Sequence, residues 1–164
     1  MQIARVTPEQ HESLIDLLCE LHAHYNFGEA VPREVVRTHL KERLLAADSP
    51  LWLVVAKGAD RRVVGVVALE LVYSIVEPSE SSRQCQVKEL FVASSSRRSG
   101  VGRHLMQWAA SFAAEHGCCR IDWPVKASNV EGRRFYEELG AAMVVDRLSY
   151  RLEGESLAKL ANPA

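Results

Sequence analysis

The sequence predicts an α/β fold with one mixed, mostly antiparallel sheet flanked by helices, in the order β-α-α-β-β-β-α-β-α-β-β. Three observations carry that expectation. Short runs rich in Val, Ile and Leu alternate with longer segments whose apolar residues recur at helical spacing. Two of the β-type runs are separated only by turn chemistry, which makes a hairpin. Finally, 164 residues with 48% apolar content suffice for a single sizeable core, so residues 1–164 are expected to form one domain.

Ile3-Ala4-Arg5-Val6 alternates as a short first strand. Thr7-Pro8-Glu9-Gln10 then has the signature of a helix start, with Thr at the N-cap, Pro at the first position and Gln10 able to close a capping box. Leu14, Leu17, Leu18 and Leu21 continue that helix to a polar tail, His22-Ala23-His24-Tyr25-Asn26, before Gly28. A second helix begins near Pro32, carries Val35, Val36, Leu40, Leu44 and Leu45, and stops at Asp48-Ser49-Pro50. Residues 51–56 and 62–71 form the hairpin around Lys57-Gly58-Ala59-Asp60. Pro78 to Arg83 is polar and unpatterned, a mobile loop, and Cys85 to Val92 is the next strand.

Val101, Leu105, Trp108 and Phe112 mark the apolar stripe of a long helix closed by Gly117. Ile121-Asp122-Trp123 is a short strand cut off by Pro124, and a helix over 131–139 ends at Gly140. Residues 142–145 and 148–152 are expected as the last two strands, with a short terminal helix over 155–161.

Composition narrows the function. Twenty Lys and Arg against twenty-one Asp and Glu give a formal charge of -1, which argues against binding nucleic acid over the whole surface. No apolar run approaches the roughly 20 residues of a membrane span. Cys19, Cys85, Cys118 and Cys119 form no CxxC pair, and with the six His they show no metal spacing, so no metal is expected. Without a signal-peptide pattern at the start, the four Cys read as buried free thiols in a reducing cytoplasm.

The most informative residues are Arg97-Arg98-Ser99-Gly100-Val101-Gly102-Arg103. A strand ends, a polar turn follows, and a helix opens on two glycines. Backbone N–H groups of such a turn converge with the unsatisfied donors of the helix's first turn to receive phosphate oxygens. Glycine admits close approach and positive φ, and the arginines add charge. There is no G-x-x-x-x-G-K-[ST], and the third glycine of the dinucleotide fingerprint is missing. Taken alone, the segment is equally readable as an ordinary strand-to-helix turn with incidental arginines.

Arg97-x-x-Gly100-x-Gly102, after Glu89-Leu90-Phe91-Val92 and opening a long helix, resembles the acyl-CoA signature of the GCN5-related N-acetyltransferases. The order of elements is similar to that family over nearly the whole chain. Asn129-Val130-Glu131 through Phe135-Tyr136-Glu137-Glu138-Leu139-Gly140-Ala141 resembles its second signature. Residues 92–136 and the ending Arg147 to Leu152 look most like the diamine acetyltransferase-like branch.

The resemblance implies the acyl-CoA N-acyltransferase fold and transfer of an acetyl group from acetyl-CoA to a primary amine, by direct attack in a ternary complex. It implies an acceptor that is a small amine or polyamine. A peptide amine, or a non-catalytic acyl-CoA-binding module, are the alternatives. It also implies a homodimer. Arg97, Arg98, Ser99, Gly100, Val101, Gly102 and Arg103 would hold the pyrophosphate. Main-chain groups of Leu90, Phe91 and Val92 would pair with the pantetheine arm, as a peptide augments a sheet edge. That requires the fourth and fifth strands to part, which Pro124 favours.

By the same resemblance Tyr136 would protonate the departing thiolate; a phenol and a thiol have free pKa values near 10 and 8.5. On periodicity alone Tyr136 is a core residue beside Phe135. Asn129 would touch the cofactor arm, or else serve as a loop or cap residue. Glu89 is the candidate general base, with a surface carboxylate as its alternative reading, while Lys88 stands where diamine-type members tend to carry a carboxylate. Strand alternation predicts that Lys88 and Glu89 point to opposite faces. No Cys lies in either motif, which disfavours a covalent acetyl-Cys route. His22, His24, Tyr25, Glu70 and Tyr73 are the residues expected near the acceptor, with no assigned roles; Glu77 and Glu80 are further acidic groups without a place.

Overall fold

The computed structural model describes residues 1–76, 78 and 82–162. Its elements are β1 (Gln2–Arg5), α1 (His11–Tyr25), α2 (Arg33–His39), β2 (Leu51–Lys57), β3 (Val63–Tyr73), β4 (Arg83–Val92), α3 (Val101–Glu115), β5 (Ile121–Asp122), α4 (Val130–Glu138) and α5 (Gly154–Ala161). The sheet has five strands in the order β1-β2-β3-β4-β5. All neighbours are antiparallel except β4 and β5, which are parallel, so the sheet is mixed as expected. Glu77 and Glu80 lie outside the described residues, as does most of the polar loop expected over 78–83. No helix of the described residues is long and apolar enough to cross a membrane.

The chain divides into two compact units, Met1–Pro124 and Val125–Ala164. In the first, strand alternation sorts the sheet's side chains between two helical layers. Leu53, Val55, Val66, Ala68 and Phe91 join Leu14, Ile15 and Leu17 of α1 and Val36 of α2 in one buried cluster. Leu14 and Ile15 are completely buried, and each contributes about 1.5–3 kcal/mol of hydrophobic stabilisation. α1 starts as the sequence predicts: a short helical turn over Pro8–Gln10 leads into it, and Gln10 Oε1 accepts the Thr7 N–H at 3.0 Å. α2 ends earlier than expected, widening into a π-type turn over Leu40–Leu44.

α3 covers the other face, burying Val101, Leu105, Met106, Ala109, Phe112 and Ala113. Their spacing keeps them on one side of a helix. Gly65 of β3 decides how closely α3 can approach. A Cβ there would stand 2.8 Å from Val101 Cγ1, 3.0 Å from Leu105 Cδ1 and 3.3 Å from the Phe91 carbonyl oxygen. Gly65→Val is therefore expected to destabilise the fold by about 1–3 kcal/mol through overpacking. For a chain of this size that lowers the melting temperature by roughly 2–4 °C per kcal/mol. An unchanged melting curve would mean that α3 shifts outward at no cost.

One irregularity corrects a sequence expectation. Ala68 pairs with Glu89 and Leu69 with Val87, so Lys88 is an extra residue in β4, a β-bulge. Simple alternation fails across it. Glu89 bonds to the end of α1 (Tyr25 Oη to Glu89 Oε1, 3.1 Å). Lys88 Nζ lies 3.5 Å from Glu70 Oε2, and Glu70 stands two residues from Ala68 on the α1 face of β3. Lys88 and Glu89 thus serve the same face, not opposite ones.

The second unit holds α4 and α5 and, among the described residues, no strand. Residues 142–145 and 148–152, expected as the last two strands, form no ladder. Met143, Val145, Leu148 and Tyr150 are exposed. Alternating apolar residues become a strand only when a neighbour satisfies their backbone groups and covers one face. The terminal helix forms as expected, over Gly154–Ala161.

Candidate functional site

The predicted phosphate turn has the backbone that such a role requires. Arg98 and Gly100 both have positive φ, +59° and +84°, on either side of Ser99. Gly100 is the N-cap of α3 in the left-handed region. A Cβ at Gly100 would meet only His104 ring atoms at 3.6 Å, so conformation, not crowding, is what calls for glycine there. Ser99 Oγ donates to the Ser96 carbonyl at 2.6 Å and pins the turn. The N–H groups of Val101, Gly102 and Arg103 lie in the first turn of α3, without intrahelical acceptors and at the positive end of its dipole. Arg98 and Arg103 flank them, exposed. Alternating left-handed residues ahead of a helix turn successive N–H groups inward, toward an anion.

Arg97 is placed differently. Its Nε donates to the Val92 carbonyl at 3.2 Å, and its guanidinium lies over the Phe91 ring, 5.5 Å from the centroid. It ties the turn back to the end of β4.

β4 offers the edge that the sequence anticipates. It pairs with β5 only at Cys85↔Ile121 and Gln86↔Asp122, so Val87 and residues 89–92 have β3 on one side and, among the described residues, no ladder partner on the other. The Ala93 N–H bonds to Val64 on β3. By alternation the main-chain groups of Leu90 and Val92 therefore face the open edge. There the Leu90 N–H donates to Glu89 Oε1 at 3.2 Å, and the Val92 carbonyl receives Arg97.

Beside this edge the end of α1 meets the bulge. The Tyr25 hydroxyl donates to Glu89, and the His24 ring sits between Tyr25 and Phe91, with centroids 5.4 and 5.7 Å away. Burial, the nearby Glu89 charge and the hydrogen bond to it push the Tyr25 phenol above its usual pKa, so it is a donor at neutral pH. Tyr25 had only a polar neighbourhood to recommend it in the sequence, because nothing local says which strand a helix end will meet. Tyr73, by contrast, stacks under the Arg83 guanidinium at 4.9 Å.

In the second unit, Asn129 is the N-cap of α4, its Oδ1 accepting the Gly132 N–H at 2.9 Å. Tyr136 lies about two turns further along the same helix, on roughly the same face. It is half-buried, with its ring edge-on to Phe135 at a centroid distance of 5.1 Å. α4 closes on Gly140 with the Ala141 N–H bonded to the Tyr136 carbonyl, a Schellman arrangement.

All four cysteines are free, but of the four expected to be buried only Cys85 is fully so; Cys19 and Cys118 are partly accessible and Cys119 is exposed. Burial pushes the Cys85 thiol up to about 11 and raises Cys19 and Cys118, which makes these three poor nucleophiles at neutral pH. An open groove of about 540 Å³ between α1 and the β2–β3 turn contains none of the predicted site residues.

Known proteins share this architecture. An integron cassette protein from the mobile metagenome of V. cholerae superposes with a TM-score of 0.88 at 31% identity, over 98% of this chain and 96% of that one. A probable acetyltransferase gives 0.79 at 24% identity over 94% and 99% of the two chains, and so speaks for the fold alone. In sequence, the L-ornithine N5-acetyltransferase of Arabidopsis thaliana is 32% identical over 71 residues, which span 43% of this chain and only 31% of that relative. Residues 14–141 match the Acetyltransferase (GNAT) family, a stretch that runs from α1 through the bulge of β4 and the glycine turn to the end of α4. The chain belongs to the GNAT acetyltransferase family.

Proposed function

We propose that this chain transfers the acetyl group of acetyl-CoA to the primary amine of a small acceptor. The observation that carries the reading is the turn from Arg98 to Arg103, with left-handed Arg98 and Gly100 opening α3 directly after a β4 edge that has no ladder partner among the described residues. Family membership supports acetyl transfer in general. The relative named for ornithine acetylation is an example with a small amine acceptor.

Bound acetyl-CoA supplies the thioester carbonyl that the amine attacks. The exposed arginines and first-turn N–H groups bind its pyrophosphate. Leu90 N–H and Val92 C=O are the edge groups available to an arm bearing amides, which would take over the contacts now made by Glu89 and Arg97. Glu89, held beside this edge, takes the proton released by the attacking amine. As the carbon–sulfur bond breaks, the sulfur leaves as thiolate, and the Tyr136 hydroxyl returns a proton to it. Asn129 supports this helix as its cap and is a candidate contact for the cofactor arm. Direct attack in a ternary complex suits a chain whose Cys19, Cys85 and Cys118 thiols are raised by burial. We read residues 1–164 as one such enzyme domain, cytoplasmic in keeping with its free cysteines, and as a homodimer, which sedimentation would test.

The deciding experiment is thiol release from acetyl-CoA over a panel of amines. Turnover with at least one amine is expected. Binding of acetyl-CoA without turnover on any amine would make the chain a non-catalytic acyl-CoA module.

Tyr25 is a positioning residue in this scheme. Its hydroxyl donates to Glu89 Oε1 at 3.1 Å and holds that carboxylate beside the edge. Tyr25→Phe should lower kcat while leaving the KM for acetyl-CoA unchanged. An unchanged kcat would leave the contact merely structural.

A further inference from the structure

We propose that Lys88 and Glu70 are the recognition pair for a second charged group on the acceptor, selecting amines that carry a carboxylate over bare diamines. The inference rests on the acetyl-transfer reading above and concerns the same face of the sheet. The bulge excludes Lys88 from the ladder while leaving it next to Glu89. Its ammonium reaches Glu70 at 3.5 Å, longer than a well-formed charged hydrogen bond, with 49% of the Lys88 side chain and 24% of the Glu70 side chain accessible. Both partners can therefore exchange one another for a ligand at little cost.

The charges around Glu89 argue for the kind of ligand. Among the described residues, a cation adjacent to the expected base in β4 and a further carboxylate on the same face of the sheet are joined to each other. A diamine that gives up one proton at Glu89 still carries an ammonium at its far end. That ammonium would find Glu70 already neutralised by Lys88, with the Lys88 charge close by to repel it. An amino-acid head group is zwitterionic, and its two charges are about as far apart as an ion pair is long. It can place its carboxylate on Lys88 and its ammonium on Glu70, so that every charge in the cluster keeps a partner. The class selected is a small amino acid with an amine on its side chain.

The test compares kcat/KM for an α,ω-diamino acid and for the diamine that lacks only its carboxylate, in wild type, Lys88→Glu and Lys88→Gln. Wild type should prefer the diamino acid by about 10–100-fold, the range that corresponds to one charge-assisted hydrogen bond. Lys88→Gln should erase most of the preference, and Lys88→Glu should reverse it. Because the readout is a ratio within each variant, altered stability or folded fraction cancels; if Lys88→Glu does not fold, the Lys88→Gln ratio decides. Equal ratios in wild type and variant, or a wild type that prefers the diamine, would overturn the proposal while leaving acetyl transfer standing. Absence of thiol release with every amine would overturn both together.

Discussion

Tyr136→Phe should lower kcat by roughly two orders of magnitude or more while the fold and the affinity for acetyl-CoA persist, since general acid catalysis contributes about 10²–10⁴-fold. The substitution removes one oxygen and keeps the ring. In α4 that ring is half-buried against Phe135, so its packing contribution survives in the variant. A leaving thiolate is the group most in need of a proton, and a phenol gives one up near the pH where the thiolate accepts it. In the proposed scheme the hydroxyl acts as the bond breaks, so the loss belongs in kcat and not in the KM for the cofactor. The alkaline limb of the rate profile should change as well if it reports this phenol. A tyrosine that only packs would behave in the reverse way, melting earlier and turning over normally per folded molecule. Wild-type kcat with intact cofactor binding would therefore remove Tyr136 from the chemistry.

Gly100→Val should abolish most of the rise in melting temperature that acetyl-CoA produces in the wild type. A ligand that binds only the folded state raises stability by mass action, by about 2.7 kcal/mol at a hundredfold excess over Kd. Gly100 sits at φ +84°, where a β-branched residue is strongly disfavoured. The variant must either strain the turn or flip it, and flipping turns the N–H groups away from a bound phosphate. The cap itself is open to solvent, with nothing nearer than the His104 ring at 3.6 Å, so the core of α3 should stay packed. Thermal scans of both proteins with and without acetyl-CoA separate the two effects. A ligand-induced shift as large as that of the wild type would place the phosphate cradle elsewhere.

Much of this was legible in the residues because it is local. The turn itself was readable, since an apolar run followed by polar residues and two glycines at the mouth of a helix marks a strand-to-helix turn, whereas its reading as a phosphate site came only with the family resemblance. The open edge beside β4 was also readable, because Pro124 cannot continue a ladder with its neighbour. The helix ends followed from single residues, the Gln10 side chain at one end of the chain and the positive-φ backbones of Gly117 and Gly140 further along.

Whatever depends on pairing across the sheet was decided by the tertiary structure. The alternation of β4 predicted that Lys88 and Glu89 part company, yet a one-residue difference in its register with β3 turns both toward the α1 face. Tyr25 became a partner of Glu89, sixty-four residues along the chain from it, only because α1 packs across Phe91 and Ala68. The failed strands at 142–145 and 148–152 make the same point, since a β pattern is a request for a neighbour that the segment cannot supply itself. Turns and caps are satisfied by bonds that close within a few residues, so the sequence determined them. Register, bulges and helix-end contacts are satisfied by groups far away along the chain, and only the folded structure could choose them.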